Sequence, residues 1–250
     1  MLAVTRKNAI KDLLAEQKSV SITDLAARLN VTRETIRRDL KEMEEKGELI
    51  RTHGGAYILD GVKNDLDVGT RQVLMIPEKE TIAEKCDKLI QPGDYILLDG
   101  STTCWFIAKK IAARSVTVLT NSLEIANILS ASETVKLHLT GGEYSPSNKT
   151  FTGVSAVSFL ESHFVDKAFI SCRSADLEAG ITDTNDTSAT FRKAALSHAS
   201  ESFLVLDHTK LDKVSFAKIS DLDAVTGCVL DTAFPDKWKE KLSDAGVLMY

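Results

Sequence analysis

The stretch Ser21-Ile-Thr-Asp-Leu-Ala-Ala-Arg-Leu-Asn-Val-Thr-Arg-Glu-Thr-Ile-Arg-Arg-Asp-Leu-Lys41 carries two helix starts in close succession. Ser21 and Asp24 have the spacing of a capping box, in which a hydroxyl and a carboxylate satisfy the first free amides of a helix. The apolar side of that helix is Leu25, Ala26 and Leu29. After Asn30-Val31, Thr32 caps a further helix whose stripe is Ile36, Leu40 and Met43, at intervals of four and three. Upstream, Ile10, Leu13 and Leu14 share one face of a first helix, which Gln17 to Ser19 interrupt. Downstream, Gly47 stops the third helix, and Leu49, Ile50, the Gly54-Gly55 turn and Ala56-Tyr57-Ile58 suit a two-stranded hairpin. Three helices and a hairpin within residues 1–58 make a winged helix-turn-helix.

The polar side of the third helix fits duplex DNA. Arg33, Arg37 and Lys41 repeat every four residues opposite the apolar stripe. Arg38 lies beside them, with Glu34 and Glu42 four residues away on either side and placed to neutralise it in part. Thr32 and Thr35 stand at the helix start, and Ser21 at the start of the helix before, where a recognition helix meets base edges in the major groove. Arginine there pairs bidentately with guanine. Arg51, His53 and the bare Gly54 of the wing are placed to approach neighbouring phosphates or the minor groove. A solvated charged face has the same pattern, and the surrounding helix-turn-helix is what favours DNA. Charge agrees: residues 1–56 hold eleven basic and nine acidic residues, a net of +2. Of the chain's 31 basic and 36 acidic residues this leaves twenty and twenty-seven, a net of −7, for the rest.

From Asp60 to Val73 the pattern turns polar and aperiodic, with Gly61 and Gly69, so residues 59–76 read as a linker and 77–250 as a second domain. There, short apolar runs (95–98, 116–119, 135–139, 167–171, 203–206 and 225–230) alternate with helical patterns. This predicts an α/β fold with a mainly parallel sheet and helices on both faces. Ligands of such sheets sit at the carboxyl ends of the strands. After the first run, Asp99-Gly100-Ser101-Thr102-Thr103 opens a helix with hydroxyls and free amides, a cradle for an anion such as phosphate. Thr120-Asn121-Ser122 and Thr140-Gly141-Gly142 repeat the arrangement after the next two runs.

With 43% hydrophobic and 27% charged residues, the 250-residue chain is neither disordered, nor collagen-like, nor a disulfide-stapled miniprotein. Cys86, Cys104, Cys172 and Cys228 lie far apart, with no Cys-x-x-Cys pair and no histidine at zinc-ligand spacing. They read as reduced structural thiols, and neither metal nor cofactor is expected. The longest apolar runs fall far short of the roughly 20 residues that cross a bilayer. Met1 to Arg6 lacks the apolar segment of a secretory signal, so a cytoplasmic protein with no membrane partner is expected.

The run Ile22 to Leu40, preceded by Arg6, Ile10 and Leu14 and followed by Arg51-Thr-His-Gly-Gly-Ala56, resembles the DeoR-type family of bacterial transcriptional regulators. Thr35-Ile-Arg-Arg-Asp-Leu40 is its most specific part. The resemblance continues through Arg71, Glu78-Lys79, Leu98-Asp-Gly-Ser-Thr-Thr103, Thr120-Asn-Ser122, Thr140-Gly-Gly142, Gly180-Ile-Thr182 and Asp207-His-Thr-Lys210, nearly the whole chain. It implies a winged helix-turn-helix followed by an α/β sensor domain similar to ribose-5-phosphate isomerases and CoA transferases. The implied activity is that of a homodimeric or homotetrameric repressor of a carbohydrate-catabolism operon. It would bind double-stranded operator DNA and leave it when a phosphorylated sugar or sugar acid arrives.

On that reading the effector residues are Asp99, Gly100, Ser101, Thr102, Thr103, Asn121, Ser122, Gly141, Gly142, Arg173, Asp176 and Lys210. Asp99 either binds sugar hydroxyls or caps its helix. Lys210 offers a point charge to a phosphate or carboxylate, or is simply solvated. Where many relatives have a glycine-rich stretch this chain has Ser171-Cys-Arg-Ser-Ala-Asp176. Arg173 either binds a second acidic group of the effector or forms a surface ion pair with Asp176 or Glu178. A rival reading keeps sugar-phosphate isomerase activity, which needs a poised carboxylate base. Phe191-Arg192-Lys193-Ala194 is similar to the place where ribose-5-phosphate isomerases carry their catalytic glutamate, and a basic residue stands there, with Asp183 and Asp186 as nearby substitutes. Gly142-Glu143 is a weak counterpart of a CoA-transferase nucleophile. Constitutive DNA packaging would want a strongly basic chain, which this is not. Binding without turnover is the expectation.

Overall fold

The computed structural model describes residues 2–17, 19–45, 48–51, 54–57 and 68–250. Gly47, His53, Ile58 and residues 59–67 of the expected linker lie outside the described residues. The chain divides into two compact units, Met1–Leu74 and Met75–Tyr250.

In the first unit α1 (Ala3–Gln17), α2 (Ile22–Arg28) and α3 (Arg33–Glu44) enclose Ile10, Leu14, Leu25, Leu29, Ile36, Leu40 and Met43, the stripes that the spacing predicts. Both caps form: Ser21 Oγ accepts the Asp24 N–H at 2.9 Å and Thr32 Oγ1 accepts that of Thr35 at 3.2 Å. The wing differs from a two-stranded hairpin. β3 (Gly55–Tyr57) pairs with β2 (Ile50–Arg51) on one side and with β1 (Ser19–Ser21) on the other, all antiparallel. Ser19 and Val20, which lie between the two helical patterns, thus join the cap residue Ser21 in a strand. The close pairing requires glycine at 55, where a Cβ would stand 2.0 Å from the Val20 carbonyl oxygen. Beyond the wing, residues that read as aperiodic linker include a short helix, α4 (Val68–Val73), with Val68 buried.

Arg6 of α1 and Asp39 of α3 form a buried two-point ion pair, Nη2 to Oδ1 at 3.0 Å and Nε to Oδ2. The Asp39 hydrogen bond raises the guanidinium pKa further, against the effect of burial.

The second unit runs α5 (Ile76–Leu89), β4 (Tyr95–Leu98), α6 (Thr102–Ile111), β5 (Thr117–Thr120), α7 (Leu123–Leu129), β6 (Lys136–Leu139), β7 (Glu143–Ser145), β8 (Thr150–Thr152), α8 (Val154–Glu161), β9 (Val165–Ile170), β10 (Ser174–Asp176), β11 (Gly180–Asp183), α9 (Asp186–Ser197), β12 (Ala199–Leu206), β13 (Ala217–Ser220), β14 (Gly227–Leu230), α10 (Asp236–Asp244) and β15 (Leu248–Met249). Seven strands form one sheet in the order β15-β14-β12-β9-β4-β5-β6, and every pairing is parallel. Alternation along the strands feeds two cores. Leu97, Ala168, Ile170, Leu204 and Leu206 enter one. Ile96, Leu98, Phe169, Phe203 and Val205 enter the other. The six apolar runs are six of these strands; the seventh, β15, is only two residues long. A small antiparallel sheet, β10-β11-β13, and a hairpin, β7-β8, add to this plan. All four cysteines are buried and unpaired, and burial pushes the Cys172 and Cys228 thiols up to about 12. Among the described residues no helix is long and apolar enough to cross a membrane.

Removing one partner of a buried ion pair leaves an uncompensated charge. Arg6→Ala is therefore expected to destabilise the first unit by about 3 kcal/mol. Calorimetry should show its transition shifted down while that of the second unit stays in place.

Candidate effector crevice and DNA-facing helix

On α3 the side chains of Arg33, Arg37, Arg38 and Lys41 are exposed, away from the buried Ile36, Leu40 and Met43. Glu34 pairs with Arg37 at 3.2 Å, and Glu42 pairs with Lys7 of α1. Lys7 is the closer partner of Glu42 and, with the charge of Arg38, lowers its carboxyl pKa, so part of the expected neutralisation of Arg38 remains although α1 supplies a competing cation. The exposed Arg37–Glu34 pair is worth at most about 1 kcal/mol, so a phosphate displaces it readily. Ser21 and Thr32 already accept backbone amides as caps, and Thr32 and Thr35 hydroxyls lie 2.9 Å apart. Arg51 is held against the end of α3: its amide donates to Glu44 Oε1 at 2.9 Å, and its Nε lies 3.5 Å from Oε2. Gly54 is exposed, with open space where a Cβ would stand.

In the second unit the carboxyl ends of β4, β5, β6 and β9 lie side by side. Asp99, just past β4, is buried. One of its oxygens accepts the Ser101 N–H at 3.0 Å; the other accepts the Ser171 N–H at 3.0 Å and Arg192 Nε at 2.6 Å. Arg192, from α9, also reaches Asp183 at the end of β11 through Nη1. Burial alone would raise the Asp99 pKa. The Arg192 charge and the hydrogen bonds from Ser101, Arg192 and Ser171 outweigh it and hold the carboxyl below its usual range. Asp99 is therefore neither a helix cap nor a free sugar ligand. It anchors the loop that leads into α6.

That loop keeps its polar groups inside. Ser101 Oγ accepts the Cys104 N–H at 3.1 Å as cap of α6, and Ser122 Oγ accepts the Ile125 N–H at 3.3 Å as cap of α7. Each hydroxyl still has a proton to donate. Among the described residues Thr103 Oγ1 and Asn121 Oδ1 are buried oxygens without a partner, as is Ser220 Oγ on β13. Gly100 is needed because Thr150 Cγ2 stands 2.1 Å from where its Cβ would be. The β7-β8 hairpin folds against these strand ends, with the Leu123 N–H donating to Lys149 O at 3.0 Å and that of Phe151 to Asn121 O at 2.7 Å. Gly141 and Gly142 both have positive φ, and Gly141 borders open space.

Past β12, Lys210 Nζ donates to Ser171 Oγ at 2.9 Å and lies 3.8 Å from Asp207 Oδ2. Burial works against Asp207, but Lys210, Thr209 and Lys79 of α5 lower its pKa overall. Lys210 is thus held against the strand ends by Ser171 and Asp207 rather than freely solvated. Arg173 sits between β9 and β10 and donates its amide to Thr182 O at 3.1 Å. Asp176 is separated from this group. The register pairs Ser174 with Thr182 and Asp176 with Gly180, the far end of the hairpin from Asp183. One Asp176 oxygen accepts the Glu178 and Ala179 amides, both at 2.9 Å, closing that turn.

Arg192, Asp183, Ser171 and Asp207 are the residues that sequence reasoning did not place in the site. Their one visible signal is that polar side chains directly follow apolar strands or interrupt the apolar side of α9. None is poised as a general base: Asp183 is bound by Arg192 and by the Thr184 amide at 2.7 Å, Asp186 is exposed, and so is Glu143 on β7. Among the described residues no group of histidine, cysteine, aspartate and glutamate is arranged to hold a metal ion.

A winged helix-turn-helix joined to a parallel α/β unit with a polar strand-end crevice defines a two-domain DNA-binding regulator. The model of the DeoR-like helix-turn-helix domain matches residues 6–62, and that of the DeoR C-terminal sensor domain matches residues 75–232. The chain belongs to the DeoR family of transcriptional regulators. It is 33% identical over 246 residues to the transcriptional repressor AccR of Agrobacterium fabrum, covering 94% of this chain and 95% of that one. It is 31% identical over 234 residues to the L-fucose operon activator of Escherichia coli K12, covering 92% and 96%. Among solved structures, a ribose 5-phosphate isomerase A of Methanocaldococcus jannaschii is similar with a TM-score of 0.40 and 18% identity, over 53% of each chain. The named relatives are regulators, and the chain is a DNA-binding regulator rather than an enzyme.

The folded-state pKa of Asp99 lies below its unfolded value, so its contribution to stability is complete above about pH 4 and is lost as the pH falls through the folded value. Asp99→Asn is expected to cost about 3 kcal/mol at pH 7, because it weakens a buried ion pair. The gap to the unaltered protein should narrow toward pH 2, as read by urea unfolding across that range.

Proposed function

We propose that this protein is a cytoplasmic repressor of a carbohydrate-catabolism operon, which binds its operator as a homodimer or homotetramer and is released by a phosphorylated sugar or sugar acid. Residues 1–58 read the duplex, 59–76 connect, and 77–250 sense the effector. Arg33, Arg37, Arg38 and Lys41 grip phosphates and base edges, helped by Thr35 and the wing at Gly54. The effector lies against Gly100–Thr103, Asn121, Ser122, Gly141 and Gly142, with Lys210 as its fixed cation and Arg173 beside it. Asp176 is left out, since it closes a turn elsewhere.

One observation carries this reading. The polar loop that opens α6 is held in place by Asp99 and Arg192, while the nearby Thr103 hydroxyl and the side-chain oxygen of Asn121 have no partner among the described residues. Buried polar groups are ordinarily satisfied, and their lack of partners here is what a ligand would relieve. Retained isomerase turnover is disfavoured, because the two crevice aspartates nearest to Arg192 are both bound to it and Asp99 is held in the weakly basic range.

Coupling between the two halves can be no larger than the effector's preference for the released state. Fluorescence anisotropy with promoter fragments from the native genome, titrated with sugar phosphates, tests the whole scheme. Arg33→Ala or Arg37→Ala should weaken operator binding by about 1–3 kcal/mol and leave effector-induced thermal stabilisation unchanged. Lys210→Gln should bind the operator normally yet resist release. Operator affinity unaltered in both arginine variants would remove α3 from the DNA, and normal release of the lysine variant would remove Lys210 from the crevice.

A further inference from the structure

We propose that Asn121 is the residue through which the crevice selects its ligand by a hydroxyl group. Its side-chain carbonyl oxygen accepts a hydrogen bond that a ligand O–H supplies. The proposal rests on the sugar-phosphate reading above and assigns one contact within it.

The orientation of the Asn121 amide is fixed by its neighbours. Nδ2 donates to the Phe151 main-chain carbonyl at 3.0 Å, and the Phe151 N–H donates to the main-chain carbonyl of Asn121 at 2.7 Å, which keeps the two residues side by side. Turning the amide over would set two carbonyl oxygens against each other, so Oδ1 points away from Phe151. It points toward the neighbouring strand end: it lies 3.3 Å from the place where a Cβ on Gly100 would be. Asn121 is only 5% exposed, and among the described residues no group donates to Oδ1. An acceptor buried in this way is destabilising until a donor reaches it.

The chemistry of the missing partner follows from the atom. A carbonyl oxygen has lone pairs and no proton, so it repels phosphate and carboxylate oxygens and attracts a donor. The phosphoryl group therefore belongs to the amides and hydroxyls of Gly100–Thr103 and to Lys210, and a hydroxyl of the sugar belongs to Asn121. The second unpartnered oxygen, Thr103 Oγ1, is in the first turn of α6, so the ends of β4 and β5 each carry one unfilled position. Thr150 Cγ2, 2.1 Å from where a Cβ on Gly100 would stand, borders the same spot.

The test uses the full-length chain. Thermal stabilisation and calorimetric affinity are measured with inorganic phosphate, with a panel of pentose, hexose and hexosamine phosphates, and with the monodeoxy analogues of the tightest panel member. One deoxy analogue should bind the unaltered protein at least tenfold more weakly than its parent. Asn121→Ala should lose that discrimination, binding parent and analogue alike, while its affinity for inorganic phosphate stays the same. Asn121→Ser, equally too short to reach the hydroxyl, replaces it if the alanine variant does not fold. A panel member that outbinds inorganic phosphate and is still discriminated tenfold from its deoxy analogue by both variants overturns the role of Asn121 and leaves the sugar-phosphate reading standing. Failure of every panel member to outbind inorganic phosphate overturns both.

Discussion

Arg192 reaches two carboxylates from one planar group, Asp99 through Nε and Asp183 through Nη1, and so joins the end of a central strand of the large sheet to the end of a strand in the small one. Its own position is not free to vary, because Phe191 and Ala195 on the same helix are buried in the core. Asp99 completes the arrangement by accepting amides from both Ser101 and Ser171, so β4, β9 and α9 meet at one carboxylate and β11 joins them through Arg192. Without the cation, two ionised aspartates would share a water-poor interior. The loop that opens α6 would lose its fixed course, and with it the placement of every polar group that faces the crevice.

The first unit uses the same kind of contact for a different purpose. Arg6 and Asp39 fix α3 to α1 from its buried side, while the exposed arginines of α3 point the other way. A buried pair adds little net stability, since both charges must be desolvated. What it does is penalise any packing in which the partners fail to meet. In both units the position of a functional element is thereby specified by a pairing that only one arrangement satisfies.

The legible parts of this molecule are those whose signal is local. The caps at Ser21 and Thr32, the stripe Ile36, Leu40, Met43 and the six apolar runs each depend on residues a few positions apart, and each is found where the spacing puts it. The parts that were not legible depend on distant partners. Ser19–Ser21 becomes a strand only because β3 arrives beside it, and Glu42 gains Lys7 as its closer partner because α1 packs there. Of the crevice, the loops after β4 and β5 are readable from polar residues that follow apolar runs. Arg192 reads as a surface charge, or as the replacement for a catalytic glutamate, until its two aspartates are brought to it from elsewhere in the chain. Asp176 shows the converse: its neighbours in sequence place it near the crevice, and the register of β10 with β11 carries it away.

The order of the large sheet has a consequence for how the chain comes into being. Leu97 lies opposite Ala168, and β9 in turn pairs with β12, so the centre of the sheet cannot close until most of the polypeptide has left the ribosome. The core of the first unit, by contrast, draws on residues from Ile10 to Ala56 alone. Domains fold in the order of synthesis, and non-local parallel pairing is slow. During every round of translation the core of the first unit is therefore finished before the large sheet of the second has closed.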